Sequence, residues 1–575
     1  MKIFYKGKKG SWSSSSVPSG KGNRLELRWN DWDDYGYGTT FATVCRIDKK
    51  DVELGNIKLL IEGHKTTRSV LDDLLKEGWD GEFPIPNANY LSVPNEITFY
   101  QQIMSQLGEE AARETAIKLR DASYSVEIQQ DPKAKELADS EGFHSSLQRE
   151  RGSMKAYADG AKVFQSEELT VSDFSFNFLG LQDENVKLDF KFSDEHSILP
   201  HDINVLIGPN GIGKSQLLHK MVGAWLNPEQ DSHNKFEPRP SLSQLVVVSY
   251  SPFETFPVDL AGREITDENI YRYFGFRGRS PITQGTSKRF GSIRLAHTFP
   301  KKNAATALLE CLENDQRFQS VPELGSKLET LANVVLSAFE FDHAAVRLEG
   351  VADLNEISRG SKTFLQKVRS LSDGEPDGCY FVPLTAKYLT KIDAELVRKY
   401  MSADDGIIFF RDGKQIRLSS GQRLFAYIVI NILGAIRRNS LILVDEPELF
   451  LHPTLEIQFV SMLKSVLKRF SSKAVLATHS VVTVREVPED CVHVFQRDEI
   501  GELHLVKPPF QTFGGDHQRI SSYVFGDNSV SKPFEEWIDE KLKEYGSAEA
   551  LLEKLSGQLN EEITIDILAK AKDLD

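Results

Sequence analysis

Four short stretches of the 575-residue chain combine residue types and spacings suited to chemistry on phosphate. The first is Gly208-Pro209-Asn210-Gly211-Ile212-Gly213-Lys214-Ser215, which follows the apolar run Ile203–Ile207 and opens the amphipathic stretch Gln216–Leu226. Glycines let the backbone curl until several N–H groups and a helix N-terminus face one anion; Lys214 then reaches the outer phosphates, and the Ser215 hydroxyl offers a ligand to Mg2+. Gly208, Asn210, Gly211 and Gly213 shape the cradle, and Gln216 continues its wall. The second stretch is the unbroken apolar run Leu441–Val444 followed by Asp445-Glu446-Pro447. It reads as a strand buried on both faces, with two acids at its carboxyl end, where α/β sheets bind ligands. Asp445 there would hold a metal, and Glu446 would orient or deprotonate an attacking water.

The third stretch, Leu418-Ser419-Ser420-Gly421-Gln422, precedes a long apolar helix from Arg423 to about Ile436 and has the composition of a helix cap. The fourth is the strand Lys473–Ala477, which ends in Thr478-His479-Ser480. The order of the four resembles that of the ABC-type ATPases. This resemblance implies that Ser419, Ser420, Gly421 and Gln422 complete the ATP site of a second copy of the chain, and that His479 touches the γ-phosphate of ATP in its own copy. Ser420 stands where that family more often has glycine.

More narrowly, Asp445-Glu446-Pro447-Glu448-Leu449-Phe450-Leu451-His452-Pro453, the Ala477–Ser480 end and the later FQTFGGDHQRISSYVFGD are similar to the soluble ABC ATPases grouped with RecF, SMC and OLD proteins. Within that group the chain looks most like PtuA-type ATPases of bacterial anti-phage systems, of the Septu or retron-linked kind. The likeness spans roughly residues 168–527 apart from an insertion. It implies ATP and Mg2+ as cofactors, Lys214, Glu446 and His479 as catalytic residues, and Ser215 and Asp445 as metal ligands. It also implies a homodimer or higher homo-oligomer that closes on ATP and regulates a partner effector, such as a nuclease, from the same operon. The alternative is a RecF-like DNA-repair ATPase that binds DNA without an effector. Two departures stand out. Tyr250-Ser251-Pro252-Phe253-Glu254 lies where the family supplies a metal-contacting glutamine, and nothing after His479 resembles the OLD nuclease domain, so nuclease chemistry is expected from another chain.

Aligning these motifs takes a parallel sheet with helices on its faces, so the expected class is α/β. We expect an ABC-type P-loop head from residues 166–253 and 413–530, with a largely helical insertion at 254–412. An α+β domain of unassigned role at 1–165 and terminal helices at 531–575 complete the chain. The N-terminal part opens with alternating aromatic segments (LELRW, TTFATVCRI, IKLLIEG) that read as a small antiparallel sheet, then turns helical between Glu96 and Tyr157. A length of 575 residues supports two or three domains.

A net charge of -15 argues against a surface that is basic throughout. The four cysteines lie far apart without a CxxC pair, which fits neither a zinc site nor a disulfide framework. No window approaches the ~18 uncharged apolar residues of a membrane span, so no membrane partner and a cytoplasmic location are expected. One stretch reverses the charge balance: residues 271–302 hold eight basic side chains, no acid and six aromatics. Arg277, Arg279, Lys288, Arg289 and Arg294 are its candidate contacts to DNA or RNA.

Overall fold

The computed structural model describes residues 1–7, 22–29, 36–165, 170–180, 183–193, 198–227, 233–261, 263, 268–280, 290–319, 321, 325–498, 501–526, 533–555, 557–559 and 561–572. Long runs of Val, Ile and Leu, bounded by polar turns, form the strands of a central sheet. Its order is Tyr271–Gly275, Gln244–Ser249, Ser440–Asp445, Lys473–Thr478, Ile203–Ile207, Val492–Arg497 and Leu503–Val506. All neighbouring pairs are parallel except the last. The register sets Asp445 opposite both Ser249 and Ala477, and Thr478 opposite Ile207. The carboxyl ends of four strands therefore finish together on one edge, which makes this an α/β fold with a ligand-binding edge in the expected place.

Two buried helices pack beside the sheet, Ser420–Ala435 and Thr298–Arg317. They approach most closely at Gly434, where an added Cβ would lie 2.6 Å from Ala307 Cβ and 2.7 Å from its carbonyl oxygen. The helix Ser420–Ala435 is apolar nearly all round, as a helix enclosed by protein must be. Its one buried amide, Asn431, donates to the Tyr250 hydroxyl (3.0 Å). At its far end the carbonyls of Gly434 and Ile436, left without intrahelical partners, accept from the ammonium of buried Lys327 at 3.2 and 2.8 Å.

The N-terminal residues form a six-stranded sheet in the order Lys2–Lys6, Arg24–Trp29, Thr40–Ile47, Ile57–Ile61 and Tyr90–Pro94, with Lys50–Val52 beside Thr40–Ile47. The expected antiparallel pattern holds for every pair but the first, which is parallel. The segment 7–23 between those two strands is long enough for the crossover that parallel pairing needs. Helices follow from Thr98 to Phe164. This region grips the central domain through polar contacts. Lys155 Nζ meets Asp159 (2.7 Å) and the carbonyl of Ser241 (2.9 Å). Arg151 and Arg239 both stack on Trp225, at the end of the helix Lys214–Leu226.

The stretch 254–412 is less separate than an insertion would be, because its strand Tyr271–Gly275 forms an edge of the central sheet. It also holds the strands His343–Leu348, Tyr380–Pro383 and Ile407–Arg411 of a four-stranded antiparallel sheet, whose fourth strand, Lys414–Gln415, lies just beyond it. Residues 1–514 form one compact unit and 515–575 another. The second unit is helical, and Ile538, Leu542, Ala548, Leu551 and Ile567 make its core. Among the described residues no helix is long and apolar enough to cross a membrane.

Alanine is a better helix former than glycine by up to ~1 kcal/mol, yet at Gly434 its methyl would overlap Ala307. Overpacking of this kind costs about 1–3 kcal/mol and should win. Gly434→Ala is expected to lower the denaturant midpoint of unfolding; an unchanged or raised midpoint would show that the two helices have room to spare.

Candidate active site

The phosphate loop turns between the strand Ile203–Ile207 and the helix Lys214–Leu226. Gly208 is required for space, since a Cβ there would sit 2.7 Å from the Phe495 carbonyl oxygen. Gly213 is required for conformation, because it enters the helix at φ +115°. Pro209, Asn210, Gly211 and Gln216 are exposed around the turn, while Lys214 is buried. Its ammonium donates to the carbonyls of Gly208 (2.9 Å) and Pro209 (3.1 Å) and lies 3.0 Å from His479 Nε2. Burial, only partly offset by Glu446, Glu448 and Asp445, lowers its pKa to about 8.

From the neighbouring strands come the acids. The Ser215 hydroxyl donates to Asp445 Oδ1 at 2.8 Å, and Ser249 donates to Asp445 Oδ2 at 3.3 Å. Burial nevertheless pushes the Asp445 pKa up to about 6. Glu446 follows in a left-handed conformation at φ +50°, its N–H bonded to the carbonyl of Ala477 (2.8 Å). Glu446 Oε1 is 3.9 Å from His479 Nε2. Burial, then the charge of Lys214, lowers His479 to about 4, so the imidazole is neutral near pH 7 and can accept from that lysine.

Residues from four strand ends thus meet at one point: Lys214 and Ser215, Ser249, Asp445 and Glu446, and His479. Two members have no role assigned by the sequence motifs. Glu448 Oε1 accepts from the His479 backbone N–H (2.6 Å) and so fixes the histidine turn. Glu254, at the position lacking the expected glutamine, lines a cleft of ≈ 440 Å³ together with Ser215, Gln216, Phe253 and Asp445. Its carboxylate accepts from Tyr273 Oη and from the Phe256 N–H and pairs with Arg277. The oxygen pair of Ser215 and Asp445 suits a hard cation such as Mg2+, and the loop with Lys214 suits a triphosphate.

Ser419 caps the helix Ser420–Ala435 in a capping box with Gln422. Both serines are exposed, and Gly421 lies close against the carbonyl of Phe450. Among the described residues no hydrogen bond joins Ser419 or Ser420 to the cluster around Lys214.

The basic stretch folds differently from its sequence-level reading. Arg272 pairs with Glu310, Arg277 with Glu254, Arg279 with Asp259 and Lys302 with Asp404. Those acids come from outside the stretch, so four of its eight charges are met on folding. Tyr271, Tyr273 and Phe274 are buried and present no stacking faces. Arg294 is exposed on the short strand Ile293–Leu295, while Lys288 and Arg289 lie outside the described residues.

Because the native pKa of Asp445 lies above its ordinary value of 3.8, its proton stabilises the fold at low pH, and that contribution is lost as pH rises through about 6. Asp445→Asn should therefore make the nucleotide-free protein more stable at pH 8, by about 1–3 kcal/mol, with no gain below pH ~4. Denaturant midpoints at the two pH values check this, and a variant less stable at pH 8 would contradict the assignment.

Residues 203–485 match a family described as "AAA domain, putative AbiEii toxin, Type IV TA system". Protein ea59 of Escherichia phage lambda is 23% identical over 560 residues, covering 94% of each chain. Two solved structures align at lower similarity. CbiO1 from Clostridium perfringens, part of an ABC transporter complex, shows 10% identity and a TM-score of 0.24 over 62% of this chain and 92% of its own. UvrA2 from Deinococcus radiodurans shows 14% identity and a TM-score of 0.24 over 63% and 39%. The segment 203–485 thus carries a phosphate loop and an acidic strand within the bounds of that family match.

Proposed function

We propose that the chain hydrolyses Mg-ATP and that two copies close on the nucleotide, each contributing Ser419–Gln422 to the other's site. The observation that carries this reading is the meeting of Lys214, Ser215, Asp445, Glu446 and His479 at one sheet edge, while the capped tip at Ser419 stands exposed. In this reading the loop and Lys214 hold the phosphates, and Ser215 and Asp445 would hold Mg2+, which when bound would supply charge compensation for the phosphates. Glu446, half-buried next to neutral His479, takes the proton of the attacking water, and His479 positions the outer phosphate. Closure on ATP and release after hydrolysis form a two-state switch that a bound partner can read.

As to biology, we propose a regulator in a phage–bacterium setting that controls an effector protein, expected to be a nuclease. The matching family's description names a toxin of a type IV toxin–antitoxin system, and one relative is a phage protein. The internal pairing of Arg272, Arg277 and Arg279 leaves the DNA-repair alternative with less support.

Glu446→Gln should lower the hydrolysis rate about 10²–10⁴-fold while keeping ATP affinity, and should raise the ATP-dependent dimer fraction measured by light scattering. Ser419→Tyr should prevent that dimer and leave ATP binding to the single chain intact. Parental hydrolysis by Glu446→Gln would remove the proposed base, and dimerisation of Ser419→Tyr on ATP would remove the shared site.

A further inference from the structure

A second concentration of charge lies at the opposite edge of the central sheet, where the N-terminal region meets the beginnings of the strands. Two adjoining chambers, ≈ 110 and ≈ 300 Å³, share Asn314, Arg317, Lys327 and Arg437 in their walls. The smaller adds Arg438 and Glu96, together with Lys155, whose charge is met by Asp159. Four cations, Arg317, Lys327, Arg437 and Arg438, therefore line the two chambers, with Glu96 as the carboxylate of the smaller one and Asp315 and Glu310 acting on Lys327. In the larger chamber Glu310 and Glu313 are already paired with Arg272 and Arg398, leaving exposed Glu53 at its mouth.

The cations are incompletely matched. Glu96 pairs with Arg317 (3.1 Å), and although burial favours its protonated form, Arg317 and Arg437 hold its pKa below the ordinary value. The Arg437 guanidinium has no hydrogen bond or ion pair of its own among the described residues. Arg438 reaches only Ser471 (3.3 Å), and the buried Nε atoms of Arg317 and Arg438 and Oδ1 of Asn314 have no partner. Lys327 is buried and caps a helix, and burial, partly offset by Cys311, Asp315 and Glu310 and added to by Arg437, lowers its pKa to about 8. Gathering like charges away from water is costly unless an anion enters. Ile97, Phe318 and Phe470 give the smaller chamber an apolar wall, and the joined volume reaches the lower range of ligand pockets.

We infer that this cavity is a binding site for a small phosphate-bearing anion, up to a mononucleotide in size, with Arg437 and Arg317 as its main phosphate contacts. The site is distinct from the phosphate loop and does not depend on the ATPase reading. Its position gives it a route to that loop's partner. The last turn of the helix Ser420–Ala435 and the following Ile436 form its wall, and the cap of the same helix is Ser419, about 24 Å away along the axis. Occupation of the cavity bears directly on the element that carries the exposed serine tip.

Calorimetric titration of the full chain carrying Lys214→Ala, with inorganic phosphate and with adenosine monophosphate as probes, tests this apart from phosphate-loop function. One saturable site per chain is expected for at least one probe. Arg437→Ala in the same background should weaken it about tenfold or more, the loss of one charge-assisted hydrogen bond, and Arg437→Lys should restore most of the affinity. Adenosine monophosphate binding more tightly than phosphate identifies a nucleotide site, and equal affinity a site for the phosphate group alone. If Arg437→Ala does not fold, Arg317→Ala takes its place, with the same weakening expected and full retention of binding again overturning the inference. Absence of saturable binding of either probe at millimolar concentration, or binding that a folded Arg437→Ala variant retains in full, overturns the inference.

Discussion

Withdrawal of Lys214, Asp445 and His479 from water at one end of a parallel sheet is the constraint on which the central domain turns. Each is shifted toward its neutral form, the lysine and histidine downward and the aspartate upward. The arrangement holds because the surrounding strands are registered side by side and because hydrogen bonds from Ser215 to Asp445, and from Lys214 to the carbonyls of Gly208 and Pro209, fix the polar atoms. A ligand that brings negative charge to the lysine and a divalent cation to the aspartate supplies the two partners the fold withholds. Part of the affinity for such a ligand is then relief of a cost already present in the free protein.

The two edges of the sheet are charged in different ways. At the carboxyl edge, cation, acids and histidine are interleaved within bonding distance. At the amino edge, arginines and a lysine from three separate segments gather around Glu96. A single buried helix spans the distance between these regions, held by Gly434 against Ala307 at one end and by the capping box of Ser419 and Gln422 at the other. Close packing of this kind transmits displacement rather than absorbing it.

How much of this could be seen in the sequence depended on whether a feature is contiguous. The phosphate loop, the acidic strand and the capped helix are each written in a few consecutive residues, and apolar runs marked their strands, so their local structure was readable. What depends on distant partners was not. Glu448 gains its part from the backbone of His479, and Glu254 from Tyr273 and Arg277. The basic stretch misled because the acids that neutralise it lie at 254, 259, 310 and 404, outside its own window. Tyr271–Gly275 hid as a sheet strand because five residues of mixed polarity carry little periodic signal. The cavity at the amino edge left no trace at all, since Arg317, Lys327 and Arg437 become neighbours only in the folded chain.

The central sheet is also assembled from chain segments far apart. Asp202 and Lys473, an ion pair at the start of two adjacent strands, are separated by 271 positions. At usual translation speeds the ribosome needs roughly 15–50 s to make the later strand after the earlier one has emerged. For that interval Ile203–Ile207 has neither of its neighbours, Lys473–Thr478 and Val492–Arg497, and remains an apolar edge without partners. During synthesis that unpaired strand is an aggregation hazard that the equilibrium stability of the finished molecule does not remove.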